Sequence, residues 1–239
     1  MISLIHPSRG RPEKSRDTIT KWINLSNSKD IEVIISLDID DSIKYKYEIT
    51  GFAALESPRG IFSMAGINRS AVDAINEGAK VSTGNILIVV SDDTDCYPGW
   101  DAGILQDCAG KNDFIIKTQD GIQKWIITMP IMDRAYYNRF GYIYHPDYLH
   151  MFCDTELTCV ADLTGRKIES NLLFPHKHYS VTKEKPDAIN KRADATWAQG
   201  EKLFIQRANQ KFGLKPEDIK GKVTSQEYIN WARNKGVRL

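Results

Sequence analysis

The sequence predicts an α/β fold, a mostly parallel sheet with helices on both faces. Three observations carry that prediction. Short, almost uninterrupted apolar runs recur through the first two thirds of the 239-residue chain. Segments with apolar residues at helical spacing separate them. Charged residues gather where the runs stop, at 7–11, 38–41 and 92–95. These are carboxyl strand ends, where open α/β sheets bind ligands.

The elements follow in order. "ISLIH" (2–6) is a strand that ends at Pro7. "RPEKSRDTITKWINLS" places Ile19, Trp22 and Ile23 at helical spacing, with Pro12 near its start, where its missing N–H costs nothing. "IEVIISLD" (31–38) is β-branched and stops in an acidic loop. "NRSAVDAINEGAKVSTG" puts Ala71, Ala74, Ile75, Gly78 and Ala79 on one helical face, with Asn68 or Ser70 as cap and Gly84 as its end. Ile86–Val90 is the most apolar strand, and a helix from Pro98 carries Trp100, Ile104, Leu105 and Cys108 on one side. Strands are expected at 113–119, 124–130 and 166–174, and helices from Asp133 to Phe140 and opening at Asp154. Beyond Pro186 the chain turns helical and charged. Trp197, Phe204, Ala208 and Phe212 form one stripe, and residues 225–236 repeat a cap-and-stop pattern. Apolar stripes need a core, so this tail is expected to dock on the domain before it.

Composition narrows the function classes. A 41% apolar, 26% charged chain is an ordinary globular protein, and a net charge of +1 excludes a surface given over to nucleic acid. Basic residues in the tail alternate with Glu201, Glu217, Asp218 and Glu227, as on a solvated helix face. No apolar run reaches the roughly 18 residues of a membrane span, and the N-terminal apolar stretch is too short for a secretory leader. A cytoplasmic protein is expected. Cys96, Cys108, Cys153 and Cys159 have no C-x-x-C spacing, so neither a zinc site nor a disulfide framework is expected.

Four clusters could carry chemistry. "SDDTDCYPGW" follows the most apolar strand with Asp92, Asp93 and Asp95. Alternate residues of an extended chain share a face, so Asp93 and Asp95 could converge on one hard cation such as Mg2+ or Mn2+. The competing reading is a solvated acidic turn. "HPSRGRP" offers Arg9 and Arg11, guanidinium forks for phosphate or carboxylate, or else an ordinary turn. Asp154 stands where a helix opens, as an N-cap or as a general base for a hydroxyl, with Glu156 a second acid nearby. His176 and His178 share a face, so one of them could enter a cleft as a metal ligand.

These stretches, in this order, resemble the family 2 glycosyltransferases and their relatives over roughly residues 2–180. "SLIHPSRGRPE" is similar to the first strand and its P-T-R-x-R-P turn, and "EVIISLDIDDS" to the second strand with its nucleoside-holding acid. "AINEGAKVSTGNILIVVSDD" resembles the R-N-x-G passage leading to D-D, and "SDDTDCYPGW" the D-x-D motif. "MDRAYYNRFGYI" through "FCDTELTCVADLTGRKI" resembles the acceptor-side segment. The resemblance implies a single A-type nucleotide-diphospho-sugar transferase domain over 1–185, with a helical extension over 186–239.

It further implies a metal-dependent, inverting transfer of one hexosyl or N-acetylhexosaminyl unit from a nucleoside-diphosphate sugar, UDP-linked by expectation. The acceptor would be a hydroxyl of unassigned class: saccharide, protein, small molecule or modified nucleic-acid base. Pro7, Ser8, Arg9, Asp38 (or Asp40), Asn68, Asp92 and Asp93 would bind the donor nucleotide. Asp93, Asp95 and His178 (with His176 as the alternative) would hold Mn2+ or Mg2+, and Asp154 would be the base. Ile75 replaces an arginine of the pattern and Cys153 the first acid of an E-D pair. The Q-x-x-R-W motif of processive synthases is absent. A nucleotidyltransferase making an activated sugar is the alternative, although its G-x-G-T-R loop is missing. The other is a non-catalytic nucleotide-sugar-binding relative.

Overall fold

The structure is a computed structural model that describes residues 1–49 and 61–236. Its strands are β1 (Ile2–Ser8), β2 (Ile31–Asp38), β3 (Ile61–Gly66), β4 (Ile86–Val89), β5 (Ile115–Gln119), β6 (Ile131–Asp133) and β7 (Lys167–Leu173). They form one seven-stranded sheet in the order β3-β2-β1-β4-β6-β5-β7. Every pairing is parallel except those of β6, which runs against β4 and β5. The helices are α1 (Pro12–Asn24), α2 (Tyr45–Ile49), α3 (Ala71–Val81), α4 (Trp100–Asp107), α5 (Arg134–Phe140) and α6 (Cys153–Thr164). α7 (Tyr179–Thr182), α8 (Ala188–Asp194), α9 (Trp197–Asn209) and α10 (Gln226–Asn234) complete the set.

Period-two alternation assigns the two faces. Ile86, Ile88 and Val90 enter a core with Trp22, Trp100 and Ile104 of α1 and α4. Leu87 and Val89 enter the opposite one, with Val72, Ile75 and Ala79 of α3 and Leu157 and Val160 of α6. Phe204, Ala208, Phe212, Tyr228 and Ala232 belong to this second core, so the C-terminal helices dock on the sheet domain. Trp197 leaves the expected stripe: at the start of α9 it is 56% exposed and meets only the Phe152 ring among the aromatic pairs of the described residues. Leu105 likewise turns outward at 45% exposure.

Other local expectations shift for physical reasons. The strand expected at 124–130 is irregular, and the short β6 follows Pro130 instead. Proline cannot donate to a ladder, so pairing begins after it. Asp133 closes β6 and caps α5, its carboxylate accepting from the Tyr136 and Phe114 N–H groups at 2.8 and 3.1 Å. Gly84 lies three residues beyond α3, so it is not the helix-ending glycine. A Cβ there would stand 2.3 Å from Ser3 Oγ and 2.7 Å from the Ser3 nitrogen, so only glycine fits against β1.

Glu32 makes that crossing polar. Its buried carboxylate accepts from Ser3 Oγ (2.5 Å), Thr83 N (2.5 Å), Thr83 Oγ1 (2.9 Å) and Gly84 N (3.0 Å). Burial pushes its pKa up, but the four donors outweigh it and hold the group below its ordinary 4.5. A depressed folded pKa contributes stability above the unfolded value, lost as pH falls through the folded one. Glu32→Gln is therefore expected to cost about 1.5–3 kcal/mol at pH 7. The difference from wild type should shrink below pH 4.5 in urea melts.

Candidate active site

The three acids after β4 point three ways. Asp92 faces β1: Oδ1 lies 3.1 Å from His6 Nε2 and accepts from Ser8 Oγ at 3.3 Å, and Arg11 Nη1 stands 3.8 Å from Oδ2. Asp93 turns to His176, with Oδ2 3.3 Å from Nε2, and Oδ1 accepts from Ser91 Oγ at 2.6 Å. Asp95 is held on the outside by Lys21 and by Lys177 Nζ at 2.9 Å, while Cys96 N donates to it at 2.9 Å.

The expected convergence of Asp93 and Asp95 therefore does not occur. The 92–95 stretch is a turn rather than an extended strand, so the alternation rule fails there. His178 caps α7, with Nδ1 2.7 Å from Ser180 Oγ, while its ring centroid lies 5.4 Å from that of His176. Among the described residues no three His, Cys, Asp or Glu side chains form a ready metal group.

His176 reaches Asp93 because two loops pair like strands. Asp95 N donates to Pro175 O (2.9 Å), Lys177 N to Asp93 O (2.8 Å), and Thr94 bridges His176. Trp22 supports the loop from beneath, its indole N–H donating to Thr94 O at 3.2 Å and its ring lying 4.8 Å from Trp100. Burial pushes the Asp93 carboxyl up, but His176 and Ser91 hold it well below the usual carboxylate range. Burial pulls His176 down, and Asp93 more than offsets it, leaving the imidazole above its ordinary value. Asp95 sits at about 2 because its lysines outweigh burial.

Beside this pair the ends of β1 and β2 form a polar pocket. Arg9 Nη1 donates to Asp38 Oδ2 (2.6 Å) and Asp40 Oδ1 (2.5 Å). Asn68 Nδ2 donates to Asp38 Oδ1 (3.0 Å) and Leu37 O (3.1 Å), so Asn68 serves this pocket and not the α3 cap, where Ser70 stands. Ser8 Oγ lies 2.9 Å from Tyr47 Oη. Pro7 follows Ile5 and His6 within β1 itself, which runs on to Ser8.

Opposite lies the start of α6. Its N-cap is Phe152, with φ +72°, an uncommon conformation for a bulky residue. Asp154 is thus the helix's second residue, not its cap. Its Oδ1 accepts from Thr155 N at 2.7 Å. Burial raises its pKa above the ordinary carboxylate value. His150 interacts electrostatically with Asp154 and Asp93 alike, and His176 with Asp154, so the start of α6 lies within electrostatic reach of the Asp93–His176 pair. Glu156 faces away: Tyr148 Oη and the Arg207 fork take its oxygens.

No family model and no curated protein matches this sequence. Solved structures do. A mannosyltransferase from Pyrobaculum calidifontis, in complex with GDP-Man and Mn2+, superposes with a TM-score of 0.59 at 11% identity, over 98% of this chain and 79% of that one. S. aureus TarS 1-349 in complex with UDP gives 0.58 at 12% identity, over 96% and 77%. Glucosyl-3-phosphoglycerate synthase from Mycobacterium tuberculosis, in complex with Mn2+, UDP-Glc and phosphoglyceric acid, gives 0.54 at 13%, over 84% and 79%. The chain has the A-type glycosyltransferase fold. The mostly parallel central sheet with helices on both faces is as the sequence predicts; the reversal of β6 within it is not.

In this A-type fold two contributors escaped the sequence reading. His6 is fully buried in β1, with Nδ1 2.8 Å from Val90 O and Nε2 2.7 Å from Ser15 Oγ, and it fixes Asp92. A histidine inside an apolar strand was the available signal. Arg192 comes from α8, far along the chain, and reaches the Asp38 pocket with no local signal to announce it.

Proposed function

We propose that this protein is a metal-dependent, inverting glycosyltransferase that moves one sugar from a nucleoside-diphosphate sugar to an acceptor hydroxyl. The observation that carries this reading is the Asp93–His176 pair, 3.3 Å apart, after β4, with the Arg9–Asp38–Asn68 pocket at the same end of the neighbouring parallel strands β1 and β2. The glycosyltransferase neighbours with bound GDP-Man, UDP or UDP-Glc support it. A UDP-linked hexosyl donor and a cytoplasmic setting belong to the same proposal.

The donor set fits a divalent ion. A carboxylate and an imidazole already share one proton's space, and Mg2+ or Mn2+ takes one or two protein ligands with the rest from phosphate and water. Asp93 and His176, the alternative histidine of the expected set, would hold it, with Asp95 engaged by Lys21 and Lys177 instead. Bound there, it would supply positive charge against the diphosphate leaving group. Asp38 and Asn68 orient the nucleoside, while Arg9 neutralises Asp38 and Asp40 so that an anion can approach. Asp154 takes the proton of the acceptor hydroxyl as its oxygen bonds to the anomeric carbon, and the bond from that carbon to the diphosphate oxygen breaks on the opposite face. One carboxylate suffices for such displacement, and its raised pKa makes it a stronger base.

A thermal-shift panel of UDP- and GDP-sugars with and without Mn2+ tests the proposal and names the donor. A manganese-dependent rise in melting temperature for one donor class is expected. No rise with any nucleotide sugar would overturn it.

A further inference from the structure

We propose that Arg192, carried on α8 by the C-terminal segment, is a donor-binding residue, and that α8 closes over the nucleoside diphosphate. This rests on the glycosyltransferase reading and extends it to a part of the chain that otherwise looks like packing.

α8 lies across the ends of β1 and β2. At one end Arg11 donates from Nε and Nη2 to Asp187 Oδ2, at 2.9 and 2.7 Å, and Nη2 reaches Asn190 Oδ1 at 3.4 Å. Asp187 and Asn190 also form the capping box of α8, so the pair that starts the helix ties it to the turn after β1. At the other end Arg192 Nη2 donates to Arg69 O at 2.5 Å, and Nη1 stands 3.9 Å from Asp38 Oδ2. Asp38 already accepts from Arg9 at 2.6 Å and Asn68 at 3.0 Å. The charge of Arg192, whose side chain is 45% exposed, is thus weakly neutralised and sits at the pocket's mouth.

The chemistry of the pocket calls for such a cation. Asp38 and Asp40 line it and already occupy Arg9, and a nucleoside diphosphate adds further negative charge. A planar guanidinium forks onto phosphate oxygens better than any other side chain. α3 provides none, because Ile75 points into the core beside Ile5. The connection to α8 suits movement. Residues 181–185 are exposed, Lys183 takes φ +61°, and on the α8 side the ion pairs that hold it down run through half-exposed Asp187 and Arg192. Donor entry displaces α8, and the helix returns with Arg192 on the ligand.

Calorimetric titration of the full chain with UDP and with GDP, each with Mn2+, tests this. Arg192→Ala is expected to weaken the better nucleotide about tenfold or more. Arg192→Lys should recover part of the loss. The surface variant Arg16→Ala should match wild type, and the ligand-free melting temperatures of all four proteins should agree. Trypsin cleavage after Lys183 should slow with UDP and Mn2+ in wild type but not in Arg192→Ala. Equal affinities for wild type and Arg192→Ala would overturn the role of Arg192. Wild type that binds neither nucleotide would instead overturn the glycosyltransferase reading beneath it.

Discussion

Asp154→Asn is expected to cut sugar transfer about 10²–10⁴-fold, the usual worth of a positioned general base. The amide is nearly isosteric, keeps an oxygen for the Thr155 N–H, and leaves the fold and the donor pocket as they are. The affinity for UDP or GDP with Mn2+ should stay at the wild-type value, which separates a chemical defect from a binding one. Sign matters for the pH profile too. Burial places the Asp154 pKa above its ordinary 3.8, so the basic form is gained only as pH rises through that higher value. The acid limb of the wild-type rate should therefore lie above pH 3.8 and vanish from the residual activity of the variant. Rates measured across pH at saturating donor check both statements.

The largest stability effect is expected two residues along the same helix, at Glu156 and its partner Arg207. Arg207→Met should destabilise the protein by about 3–5 kcal/mol. Arg207 Nε and Nη2 fork onto Glu156 at 2.7 Å each, and Tyr148 Oη donates to the same carboxylate at 2.9 Å. The Glu156 side chain is only 5% exposed, so without Arg207 a charge stays in the core with a single hydroxyl donor. For a chain of this size the loss corresponds to roughly 10 °C in melting temperature. Replacing both members, Glu156→Gln with Arg207→Met, should recover most of it, because the cost comes from the stranded charge rather than the lost pair. The pair joins α9 to α6, the helix that presents Asp154. Thr196 Oγ1, just before α9, accepts from Met151 N at 3.1 Å, and a Cβ at Gly200 would lie 2.3 Å from Met151 O. Loosening α9 should therefore lower transfer as well as stability.

The sheet was legible because its central strands are buried on both faces and read as apolar runs. β1, β2 and β4 lie where those runs stand. Reversed β6 was not, since three residues after a proline carry no periodicity. Legibility of the site followed the same divide. Arg9, Asp38 and Asn68 gather at strand ends, where position along the chain sets position in space. Asp95 does not join Asp93, because turns obey no alternation rule and its carboxylate finds nearer partners in Lys21 and Lys177, whereas His178 stays beside His176 with its Nδ1 on Ser180. His176 enters through backbone pairing with residues 93–95 across some eighty positions of sequence. Such long-range pairing leaves no mark in local composition.

The central claim is that Asp93 and His176 hold a divalent ion against the donor diphosphate. Its most direct test is release of nucleoside diphosphate from UDP- and GDP-sugars, followed with Mn2+ and with the metal chelated, in wild type and in Asp93→Asn. Release that needs Mn2+ and collapses in Asp93→Asn is the predicted result. Release that persists under chelation and survives Asp93→Asn would contradict it.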